Sequence, residues 1–231
     1  MKFLFLTLFI SFSVKADFHR FYRGFTTLDS KNFLEVINRD FFPLFKEAHP
    51  QGLVNYRPLI LNEPGLPNEI VILSFTNEEV YKAYTETEIG KKIRAAHGPV
   101  FDGQRSNSLV PTVLNKEVKA ESAYLLNEGE LPQGATGVLI LSEPYGTPEG
   151  TLKEVESMMK LSGKKDAIIL VAKDYVIEYL FAADEKALDK LRSERCSGHK
   201  RIFKTNKFIT LKKQKIGAKN LTYGEGMDTQ W

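Results

Sequence analysis

The chain has 231 residues, 42% hydrophobic and 26% charged, and its 32 lysines and arginines against 29 acids give a formal net charge of +3. That length allows one large domain or two small ones, and the composition is that of an ordinary globular protein. A charge so near balance excludes a general nucleic-acid binder, which needs a clear basic footprint, and the single cysteine, Cys196, excludes an internal disulfide.

The first stretch, MKFLFLTLFISFSVKA, has one early lysine, Lys2, followed by an apolar run from Phe3 to Val14. Val14-Lys15-Ala16 fits a small-residue cleavage rule, so residues 1–16 read as a signal peptide and the mature chain as periplasmic or secreted. The run falls short of the roughly 18 residues that a membrane span needs, so no stable span is expected after cleavage; a retained anchor is the alternative. Cleavage would remove Lys2 and Lys15 and no acid, taking the formal charge from +3 to +1.

Phe18–Phe25 then reads as a strand, and Asp29 or Ser30 can cap the helix that follows. In that helix Phe33, Leu34, Ile37, Phe41, Leu44 and Phe45 recur at three- and four-residue steps, a core-facing aromatic stripe. Pro43 should kink or restart it. Leu53–Leu61 and Ile70–Leu73 are strands joined by a loop rich in Pro and Gly. Asn77 caps a helix with Val80, Tyr81, Tyr84, Ile89 and Ile93 on its apolar side and Gly90 in its middle, and Ser108–Val113 closes the unit, with Pro111 placing it near an edge or bulge. Residues 17–114 thus read as strand, helix, strand, strand, helix, strand.

Residues 115–134 are polar and read as a linker, with a short extra strand at Ala123–Leu126. The same order returns over residues 135–215: a strand at Val138–Leu141, a helix bearing Leu152, Val155, Met158 and Met159 with Gly163 as its stop, strands Ala167–Ala172 and Tyr175–Ala182, a helix capped by Asp184, and a strand at Phe208–Leu211. Residues 216–231 are a C-terminal tail, and Lys212, Lys213, Lys215 and Lys219 near the end read as a solvated run. Asn77, Glu78, Val80, Tyr81 and Tyr84 stand opposite Asp184, Glu185, Ala187, Leu188 and Leu191 at one offset. His97-x-x-Val100-Phe101 stands opposite His199-x-x-Ile202-Phe203.

Two βαββαβ orders are two ferredoxin-like units, each an antiparallel sheet with helices on one face. A lone unit would leave its other sheet face in water and its strands would alternate. Ile70–Leu73, Val138–Leu141 and Ala167–Ala172 do not alternate, so each sheet is expected to cover the other. The fold class is therefore α+β: two tandem ferredoxin-like units packed sheet to sheet as a pseudo-dimeric α/β barrel, a monomer with an internal pseudo-two-fold. This order resembles the dimeric α/β-barrel superfamily, and LPNEIVILSFTNEEVYKAY within Leu66–Phe101 is similar to a strand–helix segment of its antibiotic-biosynthesis-monooxygenase type. The resemblance implies a pocket between sheet and helices. The superfamily includes cofactor-independent monooxygenases and haem proteins; none of their catalytic motifs is matched residue by residue.

The histidines, His19, His49, His97 and His199, show no metal-ligand spacing, so no metal site is expected. His97 and His199 take equivalent places after the second helix of each unit, where either could be an axial haem ligand or a general base; the alternative is a helix-terminal imidazole facing the dipole. Arg20 and Tyr22 share one strand face and Asn55 and Arg57 another. If the apolar faces meet the helices, these four point into the barrel as a small-ligand site, and two arginines would favour an anionic group. Cys196 beside His199 is not expected to form a nucleophilic pair, because such partners meet in space rather than along the chain. The expected function is an exported soluble protein that binds a small ligand in a barrel pocket without a cofactor. The alternatives are a cofactor-independent monooxygenase or haem-binding enzyme, and a structural protein with a solid core.

Overall fold

The computed structural model describes residues 18–114, 117–126, 131, 134–162, 167–215 and 221–230. The expected leader and the helix stop at Gly163 lie outside them. Strand β1 (Phe18–Gly24) leads through α1 (Ser30–Val36), a π-helical turn (Ile37–Phe41) and α2 (Phe42–Ala48) to β2 (Leu53–Ile60) and β3 (Glu69–Phe75). Helices α3 (Glu78–Glu86) and α4 (Glu88–His97) carry the chain to β4 (Asn107–Leu109). Short strands β5 (Thr112–Val113) and β6 (Ser122–Leu125) follow. The second half runs β7 (Ala135–Pro144), α5 (Pro148–Ser162), β8 (Ala167–Val171), β9 (Tyr175–Ala182), α6 (Glu185–His199) and β10 (Phe203–Lys215), and β11 (Gly226–Gln230) is the last strand described.

All strands join one mixed sheet in the order β4-β1-β3-β2-β11-β10-β7-β9-β8-β6-β5. Within it β4-β1-β3-β2 and β10-β7-β9-β8 are the same permutation, with antiparallel neighbours throughout. The two end strands, β4 and β5, are separated in the chain only by Val110 and Pro111. Three residue steps reach about 11 Å at most, so the sheet must curl until its ends nearly meet.

The curl makes an α+β fold with three apolar layers. Phe21, Leu59, Ile70 and Ile72 from the first half meet Val138, Ile140, Ile177, Tyr179 and Ile209 from the second between the facing sheets. The Phe21 and Tyr179 rings sit edge to face at 5.7 Å, and the Tyr179 hydroxyl donates to the Ile70 carbonyl across the interface at 3.2 Å. This accounts for strands that do not alternate: both faces are covered. On the outer face of the first half, Phe33, Ile37, Phe41, Phe42 and Phe45 pack against Tyr56, Val71 and Phe75. Leu139, Leu141, Val155, Leu180, Leu188 and Phe203 do the same in the second.

Local chemistry explains where the elements break. Asp29 caps α1 by accepting from the Lys31 and Asn32 amides. The π-helical turn inserts a residue's worth of rotation, so adjacent Phe41 and Phe42 both face the core, and Pro43 falls in the first turn of α2, where a missing amide hydrogen costs nothing. The single helix expected after Asn77, with Gly90 in its middle and Ile93 on its apolar side, is two helices. Thr87 ends α3 and caps α4, its hydroxyl accepting from the Gly90 amide at 3.1 Å and donating to the Tyr84 carbonyl at 2.7 Å. A Cβ on Gly90 would lie 2.2 Å from that same carbonyl oxygen, so the close crossing needs glycine. The strand expected at Ser108–Val113 is likewise split at Pro111, and the one expected at Phe208–Leu211 extends over Phe203–Lys215.

Part of the tail closes a gap in the sheet. β11 lies parallel to β10 and meets β2 at Gly226 and Leu59. Its Asp228 pairs with Arg57, whose guanidinium is 1% exposed and stacks over the Phe181 ring at 5.2 Å. Burial lowers the Arg57 pKa and Asp228 opposes the shift. Asp228→Ala would leave a buried guanidinium without its counter-charge, and a loss of about 3 kcal/mol in urea denaturation is expected. An unchanged midpoint would mean that the pair does not hold β11 in place.

Candidate functional site

A cavity of about 360 Å³ opens in the first half, between the outer face of its sheet and helices α2, α3 and α4. It is not between the facing halves of the sheet, where Phe21, Ile70, Ile72, Val138, Ile177 and Tyr179 belong to one apolar cluster. Its size falls in the range of small-molecule sites. Tyr22 of β1 and Glu69, Val71 and Leu73 of β3 form its floor, Phe41, Phe45, Tyr81, Tyr84 and Phe101 its aromatic walls, and Gly90, Arg94 and His97 of α4 one side. The break at Thr87 lets Thr85 and Gly90 line the space instead of bulkier residues of a continuous helix.

His97 is the last residue of α4. Its Nδ1 lies 2.6 Å from the Ile93 carbonyl oxygen. A carbonyl only accepts, so Nδ1 carries the proton and donates, and the lone pair is left on Nε2. Burial lowers the His97 pKa, with the Ile93 bond opposing it, so the imidazole is neutral at pH 7. Tyr22, Phe41 and Phe101 hold the ring at centroid distances of 5.2, 5.0 and 5.4 Å. Nε2 has no hydrogen-bond partner among the described residues.

Glu69 is the second chemical group. It is 2% exposed, and burial raises its pKa to about 8, with the adjacent Tyr56 hydroxyl offsetting part of the rise. Neither Glu69 Oε1 nor Tyr56 Oη completes a hydrogen bond. Burial and the Glu69 carboxyl also push the Tyr22 hydroxyl above its usual range, with Ser106 opposing.

The six expected site residues do not converge. Tyr22 and His97 line the cavity. Arg20 shares the Tyr22 face, on the helix side rather than inside the barrel, because Phe21 fills the inter-sheet core instead. Its guanidinium donates to Ser108 Oγ at 2.8 Å and lies over the Tyr81 ring at 5.2 Å. Arg57 does face the other sheet but is committed to Asp228, and Asn55, partly buried, pairs in register with Ser74 beyond a bulge in β2. Two arginines facing one anion are therefore not brought together.

His199 is 1% exposed and bonds a carboxylate: Nε2 is 3.1 Å from Glu178, which also pairs with Arg195 at 3.5 Å. The register explains why the two halves differ. Counting back from the capping residues Asn77 and Asp184, Val71 corresponds to Glu178. Tyr22 pairs with Val71 and Ser108, and Leu139 pairs with Glu178 and Phe208. Leu139, Glu178 and Phe208 thus replace Tyr22, Val71 and Ser108 and occupy the corresponding space. Cys196 is partly buried on α6, and burial raises its pKa, away from a reactive thiolate.

Glu69 and Tyr56 were missed. Glu69 is the first residue of β3, ahead of the apolar run Ile70–Leu73, where an acid reads as a strand end rather than a buried group. Among the described residues no cluster of histidine, cysteine and acids could hold a metal, and no helix is long and apolar enough to cross a membrane.

No protein-family model matches the sequence, and no curated protein sequence matches it. Among solved structures, the chain is similar to a proposed monooxygenase from Fusobacterium nucleatum at 8% identity, covering 84% of this chain and 90% of that one with a TM-score of 0.42. An anthrone oxidase-like protein aligns at 10% identity over 84% and 89% of the chains with a TM-score of 0.41. A haem-binding protein of Thermus thermophilus aligns at 14% identity over 84% and 88% with a TM-score of 0.38. At TM-scores this low these neighbours say nothing of chemistry, and the reading of the site rests on its geometry.

Proposed function

We propose that the chain is an exported, monomeric tandem of ferredoxin-like units, residues 17–114 and 135–215, whose first unit binds a small, largely apolar molecule in the cavity beside His97. One observation carries this reading: the Nδ1–H bond to the Ile93 carbonyl leaves a neutral Nε2 lone pair in an aromatic cavity of about 360 Å³. Such an atom accepts a hydrogen bond, or a proton, from a donor on the bound molecule. The second unit supports the first by packing its sheet against it.

A naphthol, with one acidic hydroxyl on a flat apolar body, is a suitable probe. Its own fluorescence should report binding, and His97→Ala should weaken that binding about fivefold to tenfold, the loss of one hydrogen bond. Equal binding by wild type and variant would remove His97 from the site.

The same bond also favours a second reading, because ligating imidazoles characteristically donate their other nitrogen's proton to a carbonyl or carboxylate. His97 Nε2 would then hold a haem iron, which would supply redox chemistry. The surrounding groups fit this less well: the cavity holds the Glu69 carboxyl, a poor neighbour for anionic propionates, and its Arg94 is exposed and donates to the Thr85 carbonyl at 2.6 Å. A Soret band on haem addition, absent in His97→Ala, would decide for haem. Export would be checked by the mass of the mature chain, expected to begin at Asp17.

A further inference from the structure

The floor of the cavity is costly unless something completes it. Glu69 shares a face of β3 with Val71, Leu73 and Phe75, the helix-facing side that is otherwise apolar. A carboxyl in that position loses its hydration and regains nothing without a partner. Its one polar neighbour is the Tyr56 hydroxyl, near enough to offset part of the burial penalty, yet no full hydrogen bond is completed at Oε1. Glu69 lines the cavity, and a buried carboxyl left incompletely bonded beside a cavity marks a place where a ligand group fits.

The surroundings limit what that group can be. The electrostatic influences on Glu69 are burial and the Tyr56 hydroxyl, with no basic side chain among them. An anionic group would meet an acid in a low-dielectric site. A cation would meet a carboxylate together with the negative faces of the aromatic rings. Arg20 over Tyr81 already shows a cation held against a ring at the rim.

We propose that the molecule bound in this cavity is a small organic amine, its ammonium group against the Glu69 carboxyl and its apolar body among Tyr22, Phe41, Phe45, Tyr84 and Phe101. The proposal rests on the reading of the cavity as the binding site and specifies the class of molecule it takes. His97 Nε2 accepts a second hydrogen bond from the same molecule. Both groups then act as acceptors, which matches a ligand that brings only donors.

Binding is linked to a proton. Free Glu69 holds its proton up to about pH 8, and an ammonium group displaces it, so amine binding releases a proton and strengthens as pH rises. The groups facing Glu69 do not blur this. Tyr22 from β1, Tyr56 from β2 and Tyr179 from the facing sheet titrate above the range. On α4 stand Arg94 and His97, and burial lowers the His97 pKa, favouring the neutral imidazole. The amine stays protonated throughout, as a lysine does.

The test compares phenethylamine, phenethyl alcohol and hydrocinnamate by calorimetry on the full chain. The amine should bind about tenfold or more tighter than the alcohol near pH 8, with hydrocinnamate weakest. Between about pH 6 and pH 7.5 amine affinity should rise close to tenfold per pH unit, while the alcohol's changes little. Glu69→Gln should cost the amine about tenfold, leave the alcohol within about twofold, and flatten the pH dependence. Equal binding of amine and alcohol, or an amine affinity unaffected by pH in the wild type, would overturn the proposal without need of any variant. If neither these probes nor a naphthol bind, the cavity reading itself fails.

Discussion

Glu178→Ala is expected to lower stability by about 4 kcal/mol, measured by urea denaturation at pH 7. The side chain is completely buried, and it is the counter-charge for Arg195 and the hydrogen-bond partner of His199. Burial alone would raise its pKa, but His199 and Arg195 together outweigh that and hold it below the usual carboxylate range. Removing the carboxylate leaves Arg195, 5% exposed, without its ion-pair partner among the described residues. Replacing all three together by apolar residues of similar volume should cost far less, because the desolvation penalty disappears with the charges. A loss below about 1 kcal/mol for the single variant would mean that water reaches Arg195 in the folded state. Because the folded pKa is depressed, the stability Glu178 lends is complete above its unfolded value and is lost as pH falls through the folded one.

Glu69 should act in the opposite sense. Its pKa rises from 4.5 in the unfolded chain to about 8 in the fold, so between those values the folded state binds more protons than the unfolded one. The stability linked to it is therefore full below about pH 4.5 and declines as pH rises, levelling off above about pH 8. A shift of that size corresponds to a decline of about 5 kcal/mol over the whole interval. Glu69→Gln cannot ionise, so it should gain on the wild type progressively across this interval and by about 3 kcal/mol at pH 7. Melting curves of the two proteins at several pH values would measure the divergence. Parallel curves would show that the carboxyl is hydrated rather than buried beneath the cavity.

Much of the architecture was legible because it follows from periodicity. The echo of His97-x-x-Val-Phe in His199-x-x-Ile-Phe marks two helices that end alike, and the Val100 and Ile202 amides bond the His97 and His199 carbonyls in matching turns. Apolar strands such as Ile70–Leu73 implied a second covered face, and the facing sheets supply it. Other features depend on contacts that no local pattern carries. Which face of β1 meets the helices turns on whether Phe21 or Tyr22 finds the better cavity, so the orientation of Arg20 and Tyr22 was not readable. The paired helices α3 and α4 hide in one apolar stripe, because the Thr87 cap competes with continued helix only once Gly90 can approach Tyr84. β11 is a strand because β2 and β10 leave a gap, not because GMDTQ favours one. The contrast between the two histidines is likewise remote from sequence: Glu178 and Val71 stand at corresponding positions, and only the fold reveals that one fills a space the other leaves open.

The most direct test of the first-half cavity as the functional site is amide chemical-shift mapping of the isotope-labelled chain during titration with a naphthol. The expected perturbations cluster on Tyr22, Val71, His97 and Phe101, with Leu139, Glu178, His199 and Phe208 unmoved. Perturbations centred on the second half, or none at saturating probe, would contradict the assignment.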